Sequence, residues 1–225
     1  MRALSWTVFF AILGSVAASP TATQTDPDVE RLMAEVDARA TAGDAVAQFS
    51  LGSVLFYTRT NLAKGAALFR DAALQAHPAA EFQMGQLYDF GLGVERNNTE
   101  ALTWYRRAAE HGLPSAQRTV GDFYRQGREV EADQAEATRW YQRAADGDDL
   151  RAQYQLGQMY FDGTGVERDY TSAYVWFTLA AGQTPLEDNR KAIEELANIA
   201  AARMTPEQVA EGARRARTWL PQPRP

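Results

Sequence analysis

"MGQLYDFGLGVERN" runs from Met84 to Asn97 and "LGQMYFDGTGVERD" from Leu156 to Asp169, so one short chain carries nearly the same stretch twice. A catalytic loop gains nothing from being copied, whereas a structural unit that buries its face against its own kind does. Aligned on one glycine, the pairs Leu51-Gly52, Met84-Gly85, Val120-Gly121 and Leu156-Gly157 follow one another in steps of 33, 36 and 36 residues. An alanine stands five residues earlier each time (Ala47, Ala80, Ala116, Ala152), and a tyrosine three later in the last three copies (Tyr88, Tyr124, Tyr160). Further on come Trp104-Tyr105, Trp140-Tyr141 and Trp176-Phe177, then the pairs Ala108-Ala109, Ala144-Ala145 and Ala180-Ala181, then Gly112, Gly147 and Gly182. Four copies cover Gly43 to Gly182.

Each copy reads as two helices separated by glycine punctuation. Pro78 and Pro114 suit a first helical turn, where a missing N–H costs nothing, and Asn61, Asn97, Asp133 and Asp169 stand as N-caps before the second helix. Glu100 and Glu136 follow Asn97 and Asp133 at capping-box spacing, and the closing glycines suit the left-handed position after a helix. Gly91 and Gly93, like Gly163 and Gly165, supply positive φ for the turn inside the hairpin, although Glu129 replaces the second glycine in the third copy. A phosphate cradle would need a strand before the glycines, and no strand pattern precedes them. Trp104, Trp140 and Trp176 are expected as the large half of a core whose small half is alanine.

These features resemble the Sel-one-like repeat family, relatives of the tetratricopeptide repeats. The residues that carry the resemblance are Ala152-Gln153-Tyr154-Gln155-Leu156-Gly157, Tyr160, Gly163-Thr164-Gly165-Val166, Ala173, Trp176-Phe177, Ala180-Ala181 and Gly182. Met204 to Leu220 is similar to the closing helix of bacterial members. The resemblance implies an all-α fold, a right-handed α-solenoid of antiparallel helix hairpins that serves as an interaction platform and not as an enzyme. Four repeats are expected, at about 43–76, 77–112, 113–147 and 148–182. Val29 to Ala42 is expected to cap the first repeat, and two helices, Leu186 to Arg203 and Pro206 to Leu220, to cap the last. Cysteine-rich exported members linked to β-lactam chemistry are a poor analogy, because this chain has no cysteine.

At the N-terminus, Arg2, an apolar run from Ala3 to Val16 and the small residues Val16-Ala17-Ala18 have the order of a secretory signal cleaved after residue 18, with an uncleaved membrane anchor as the alternative. The expected organisation is signal 1–18, linker 19–28, helical domain 29–220 and tail 221–225, in a protein exported to the periplasm or secreted, and soluble once cleaved. A length of 225 residues with 45% apolar residues suits a packed fold, and the absent cysteines leave it to packing alone. A net charge of −6 argues against a nucleic-acid partner, which needs a basic surface.

No catalytic constellation is visible. His77 and His111 occupy unmatched positions, metal sites need three or four convergent ligands, and nucleophile and zinc motifs are missing. No cofactor, metal or catalytic residue is expected. Function is sought instead on the face of each first helix opposite the constant positions, three before, one after and four after the glycine. That face gives Phe49, Ser53 and Phe56; Phe82, Gln86 and Asp89; Arg118, Asp122 and Arg125; Tyr154, Gln158 and Phe161. Rings beside amides and guanidinium groups suit a protein or peptide partner. A cell-wall glycan stacking on the rings is the alternative, and a β-lactam or cell-wall hydrolase stands last.

Overall fold

The computed structural model describes residues 27–221; the expected signal, most of the linker and residues 222–225 lie outside the described residues. Among the described residues the regular elements are α1 (Pro27–Thr41), α2 (Ala45–Tyr57), α3 (Leu62–Leu74), α4 (Pro78–Phe90), α5 (Asn98–Glu110), α6 (Pro114–Gln126), α7 (Gln134–Asp146), α8 (Leu150–Asp162), α9 (Tyr170–Gln183), α10 (Glu187–Ala201) and α11 (Pro206–Thr218). The fold is all-α and built of paired hairpins with capping helices. It divides into two compact units, the first ending at Ala80 and the second beginning at Glu81.

In the first unit α1 packs on α2 and α2 on α3. Val36 and Ala40 of α1 meet Ala47 and Leu51 of α2, which closes the open face of the first hairpin. In the second unit each helix from α5 to α9 packs on the next, and α9 also takes α11, so this unit is a short solenoid ended by α10 and α11.

The capping residues behave as their chemistry requires. Asn61, Asn97 and Asp133 accept from the backbone N–H three residues on, at 2.9, 3.1 and 2.9 Å, and Asp169 accepts from Thr171 N at 2.8 Å. Each removes one orphan donor from a helix start. Glu136 turns its carboxylate to Arg139 instead of back to Asp133, and a reciprocal capping box forms at Thr205 and Gln208.

Positive φ marks both turns of the repeat, with one shift from expectation. Inside the hairpins it falls at Gly91 and Gly93, Gly163 and Gly165, and, in the third copy, Gly127 and Glu129. Glu129 tolerates the left-handed region because its carboxylate accepts from Thr99 Oγ1 at 3.1 Å and Asn98 Nδ2 at 3.4 Å, at the start of α5. Between hairpins the left-handed residues are Ala76, Gly112 and Asp148. Gly147 has φ −84 and Gly182 is not left-handed, so the glycine role expected of them belongs, at Gly147, to the residue after it. What Gly147 supplies is room, since a Cβ there would lie 2.6 Å from Pro114 Cγ.

Close helix crossings fall at the aligned glycines, and the partner of each is the residue after the tryptophan. A Cβ on Gly85, Gly121 or Gly157 would lie 2.5, 2.9 or 2.5 Å from the rings of Tyr105, Tyr141 or Phe177, all three of them buried. Each ring is a knob set across a neighbouring helix at a site that admits no side chain. Trp140 and Trp176 are buried beside these knobs, whereas Trp104 is only half-buried, with the Arg107 guanidinium 4.5 Å over its ring.

Candidate functional site

In the second unit the first helices of successive hairpins, α6 and α8, and the capping helix α10 enclose an open cleft of about 540 Å³. Arg118 and Asp122 come from α6, Leu150, Arg151, Tyr154 and Gln155 from α8, and Asn189, Ala192, Ile193 and Leu196 from α10, with Thr184 between α9 and α10. The local sequence sets this up. Arg151, Tyr154 and Gln155 are spaced three and four residues apart, so they share one face of α8, away from Ala152 and Leu156 in the core.

One wall is a bonded lattice of charges. Arg118 donates through Nε to Asp149 at 3.3 Å, the N-cap of α8, and through Nη1 to Asp122 at 3.3 Å. The Tyr141 hydroxyl donates to Asp122 at 2.7 Å and accepts from Arg125 Nε at 3.0 Å. Burial, reinforced by the bond to Asp122, pushes the Tyr141 phenol above its usual range, and the bond to Tyr141 raises the Arg125 guanidinium. The phenol therefore stays neutral and the guanidinium charged, so neither offers a proton at ordinary pH. Arg118, Asp122 and Arg125 hold one another in place and tie α6 to α7 and α8.

Thr184 donates to the Ala180 carbonyl at 2.7 Å, and three other polar groups of the cleft are uncommitted. Arg151, Gln155 and Asn189 make no side-chain hydrogen bond or ion pair among the described residues, and Arg151 and Asn189 are exposed. Beside them lie the apolar Leu150, Tyr154, Ala192, Ile193 and Leu196. Among the described residues no group of three or more histidines or carboxylates is placed to hold a metal ion.

Of the residues expected on the binding face, the structure brings Arg118, Asp122 and Tyr154 into this cleft. Gln158 donates to the Tyr154 hydroxyl at 2.9 Å and Arg125 belongs to the charge lattice. The remainder are engaged elsewhere. Asp89 is buried, accepting from Arg128 Nη2 at 2.7 Å and from the Tyr105 hydroxyl at 3.5 Å, so it is a joint between hairpins and not an open contact. Phe82 packs on Tyr105 with ring centroids 5.3 Å apart, and Gln86 is half-buried on the same helix. Phe161 meets Tyr170 at 5.4 Å and carries the Arg203 guanidinium 5.0 Å from its ring. In the first unit Phe49 stacks on His77 at 4.9 Å and Phe56 tilts against Phe69 at 5.7 Å.

Sequence reasoning missed Arg151, Gln155 and the whole α10 wall. The first two share the Tyr154 face and were within reach of helical spacing. Helix α10 lies outside the repeat, so no register assigns its residues to a side.

The Sel1 repeat model matches residues 78–113, 114–149 and 150–185, which are the three hairpins α4–α5, α6–α7 and α8–α9. The chain belongs to the Sel1-repeat family. Two solved Sel1-type structures are similar to it. A Sel1 repeat protein from Oxalobacter formigenes is 29% identical with a TM-score of 0.67, over 80% of this chain and 52% of that one. The protein c5321, a protective antigen present in uropathogenic Escherichia coli strains and displaying an SLR fold, is 26% identical with a TM-score of 0.55, over 87% of this chain and 49% of that one. The chain thus spans about half the length of the solved structures it matches. No curated protein matches it at a significant level. Sel1 repeats form a non-catalytic scaffold family whose members generally mediate protein–protein interactions through a groove. In this Sel1-repeat chain the first helices α6 and α8 line the cleft.

Proposed function

We propose that the chain is an exported, non-enzymatic adaptor that holds a peptide segment of a partner protein in the cleft between α6, α8 and α10. The observation that carries this reading is the pairing, in one open cleft, of uncommitted Arg151, Gln155 and Asn189 with apolar Leu150, Tyr154, Ile193 and Leu196. Free amides satisfy a peptide backbone, which both donates and accepts, and apolar side chains of the partner then have surface to leave water on. A sugar ring would stack on an open aromatic face, and Phe49, Phe82 and Phe161 give much of theirs to neighbouring groups, which favours the peptide over the glycan. Export rests on Arg2, the apolar run and Val16-Ala17-Ala18, and a mature N-terminus at about residue 19 is its expected signature.

A photo-crosslinking amino acid placed at Gln155 in the living cell tests the site. A discrete protein adduct is expected there, absent when the crosslinker stands at exposed Glu131 and lost when Leu196→Arg blocks the cleft. Equal labelling from both positions, or an adduct indifferent to Leu196→Arg, would move the binding site elsewhere. A polysaccharide adduct in place of protein would transfer the reading to glycan recognition.

A further inference from the structure

We propose that the cleft selects an acidic peptide segment, one whose Asp or Glu side chain pairs with Arg151 while an aliphatic neighbour rests on Leu150, Ile193 and Leu196. The inference rests on the peptide-binding reading and adds the chemistry of the occupant. Its basis is a balance of charge. Three charged side chains line the cleft, Arg118, Asp122 and Arg151. Arg118 already donates to Asp122 and Asp149, and Arg125 sets a second guanidinium 3.6 Å from Asp122, so two carboxylates and two guanidinium groups close among themselves. Arg151 is left over, exposed and without a partner, and is the uncompensated charge of the cleft.

A lone guanidinium with its donor fork free is matched by a carboxylate, which it binds with two parallel hydrogen bonds. A basic segment would bring like charge to Arg151 and find Asp122 already occupied. The chain as a whole carries −6, which repels an acidic partner at a distance. That field is screened within about 8 Å at physiological ionic strength, so the contact at Arg151 decides. Gln155 and Asn189 stand on opposite walls, α8 and α10, and serve a backbone that passes between them. A passing segment presents an acidic side chain and not a chain terminus.

A random decapeptide library displayed on phage, fused through its C-terminus, is panned against the full chain; any enriched acid is then a side chain. Enrichment of Asp or Glu within two positions of Leu, Ile or Val is expected. The enriched peptide, made synthetically and followed by fluorescence anisotropy, should bind Arg151→Glu about tenfold more weakly or worse, and Arg151→Lys in between. Because Arg151 is exposed and unpaired, both variants should keep the helical signal of the parent. Neutral or basic peptides displaced by Leu196→Trp, which fills the cleft without adding charge, would overturn the acidic selectivity while leaving the cleft as the binding site. So would acidic peptides that bind Arg151→Glu unchanged. No enrichment, or enrichment indifferent to Leu196→Trp, would overturn both readings.

Discussion

At Gly157 a helix interior gives up about 1 kcal/mol of propensity relative to alanine. The compensation is the Phe177 ring, whose Cδ1 would stand 2.5 Å from any Cβ placed there. That ring is buried and has nowhere to swing, so Gly157→Ala should lose about 1–3 kcal/mol through overpacking, more than it gains in propensity. Gly52 offers an internal comparison, because its nearest neighbours, Gly65 O and Phe69 Cδ1, would be 3.1 Å away. Gly52→Ala should cost clearly less than Gly157→Ala, with urea midpoints as the measurement, and a stabilised Gly157→Ala would contradict the packing. The close approach was legible in the sequence as a glycine on an apolar face. Its partner was not, since tryptophan and the ring after it differ by one helical step and spacing alone does not say which of them crosses the neighbouring helix.

Helix starts are the most legible elements, because a cap and its N–H are two or three residues apart. At Asp169 burial opposes the charged carboxylate, but bonds from Ser172 Oγ and from the Ser172 and Thr171 amides, with the charge of Arg215, outweigh it and lower the pKa. The folded pKa then lies below the unfolded one, and between the two the unfolded chain binds more protons. Stability from this group is complete above about pH 4 and is lost as pH falls through the lowered value. Asn61 and Asn97 cap the equivalent helices, so Asp169→Asn should keep most of the cap, lose less than about 1 kcal/mol at pH 7, and soften the acid loss. Denaturant melts at pH 7 and pH 3 measure this; an identical acid slope in parent and variant would remove Asp169 from the explanation. Turns between hairpins were less legible. Asp148 takes the conformation that Gly112 takes one repeat earlier, since the 36-residue step and not the nearest glycine places the left-handed residue.

In the second unit each helix meets mainly its neighbours: α8 packs on α7 and α9, and α9 on α10 and α11. Strain introduced in α8 should therefore travel a short way. In hydrogen exchange, Gly157→Ala is expected to release amides of α8, α9 and the two capping helices first, while α5 keeps the protection of the parent. Even loosening from α5 to α11 would mean that the unit unfolds as one cooperative block. The same neighbour rule explains the cleft. A first helix is open only where the next element leaves it so, and α10 both continues the row and supplies a wall that no repeat position announces.

The hairpins, their caps and their close crossings could be read from residue order because each depends on groups a few residues apart, or on one pattern copied at a nearly constant step. Openness has no such code. Asp89 and Arg118 lie on corresponding faces of α4 and α6, yet Asp89 is buried under Arg128 while Arg118 lines a cleft. Arg151 is a charge to pair with only because Arg118 and Arg125 have already neutralised Asp122 and Asp149. Which polar groups remain free is settled by distances through space, between helices that adjoin in the fold but stand some thirty residues apart in the chain, as Arg118 and Asp149 do.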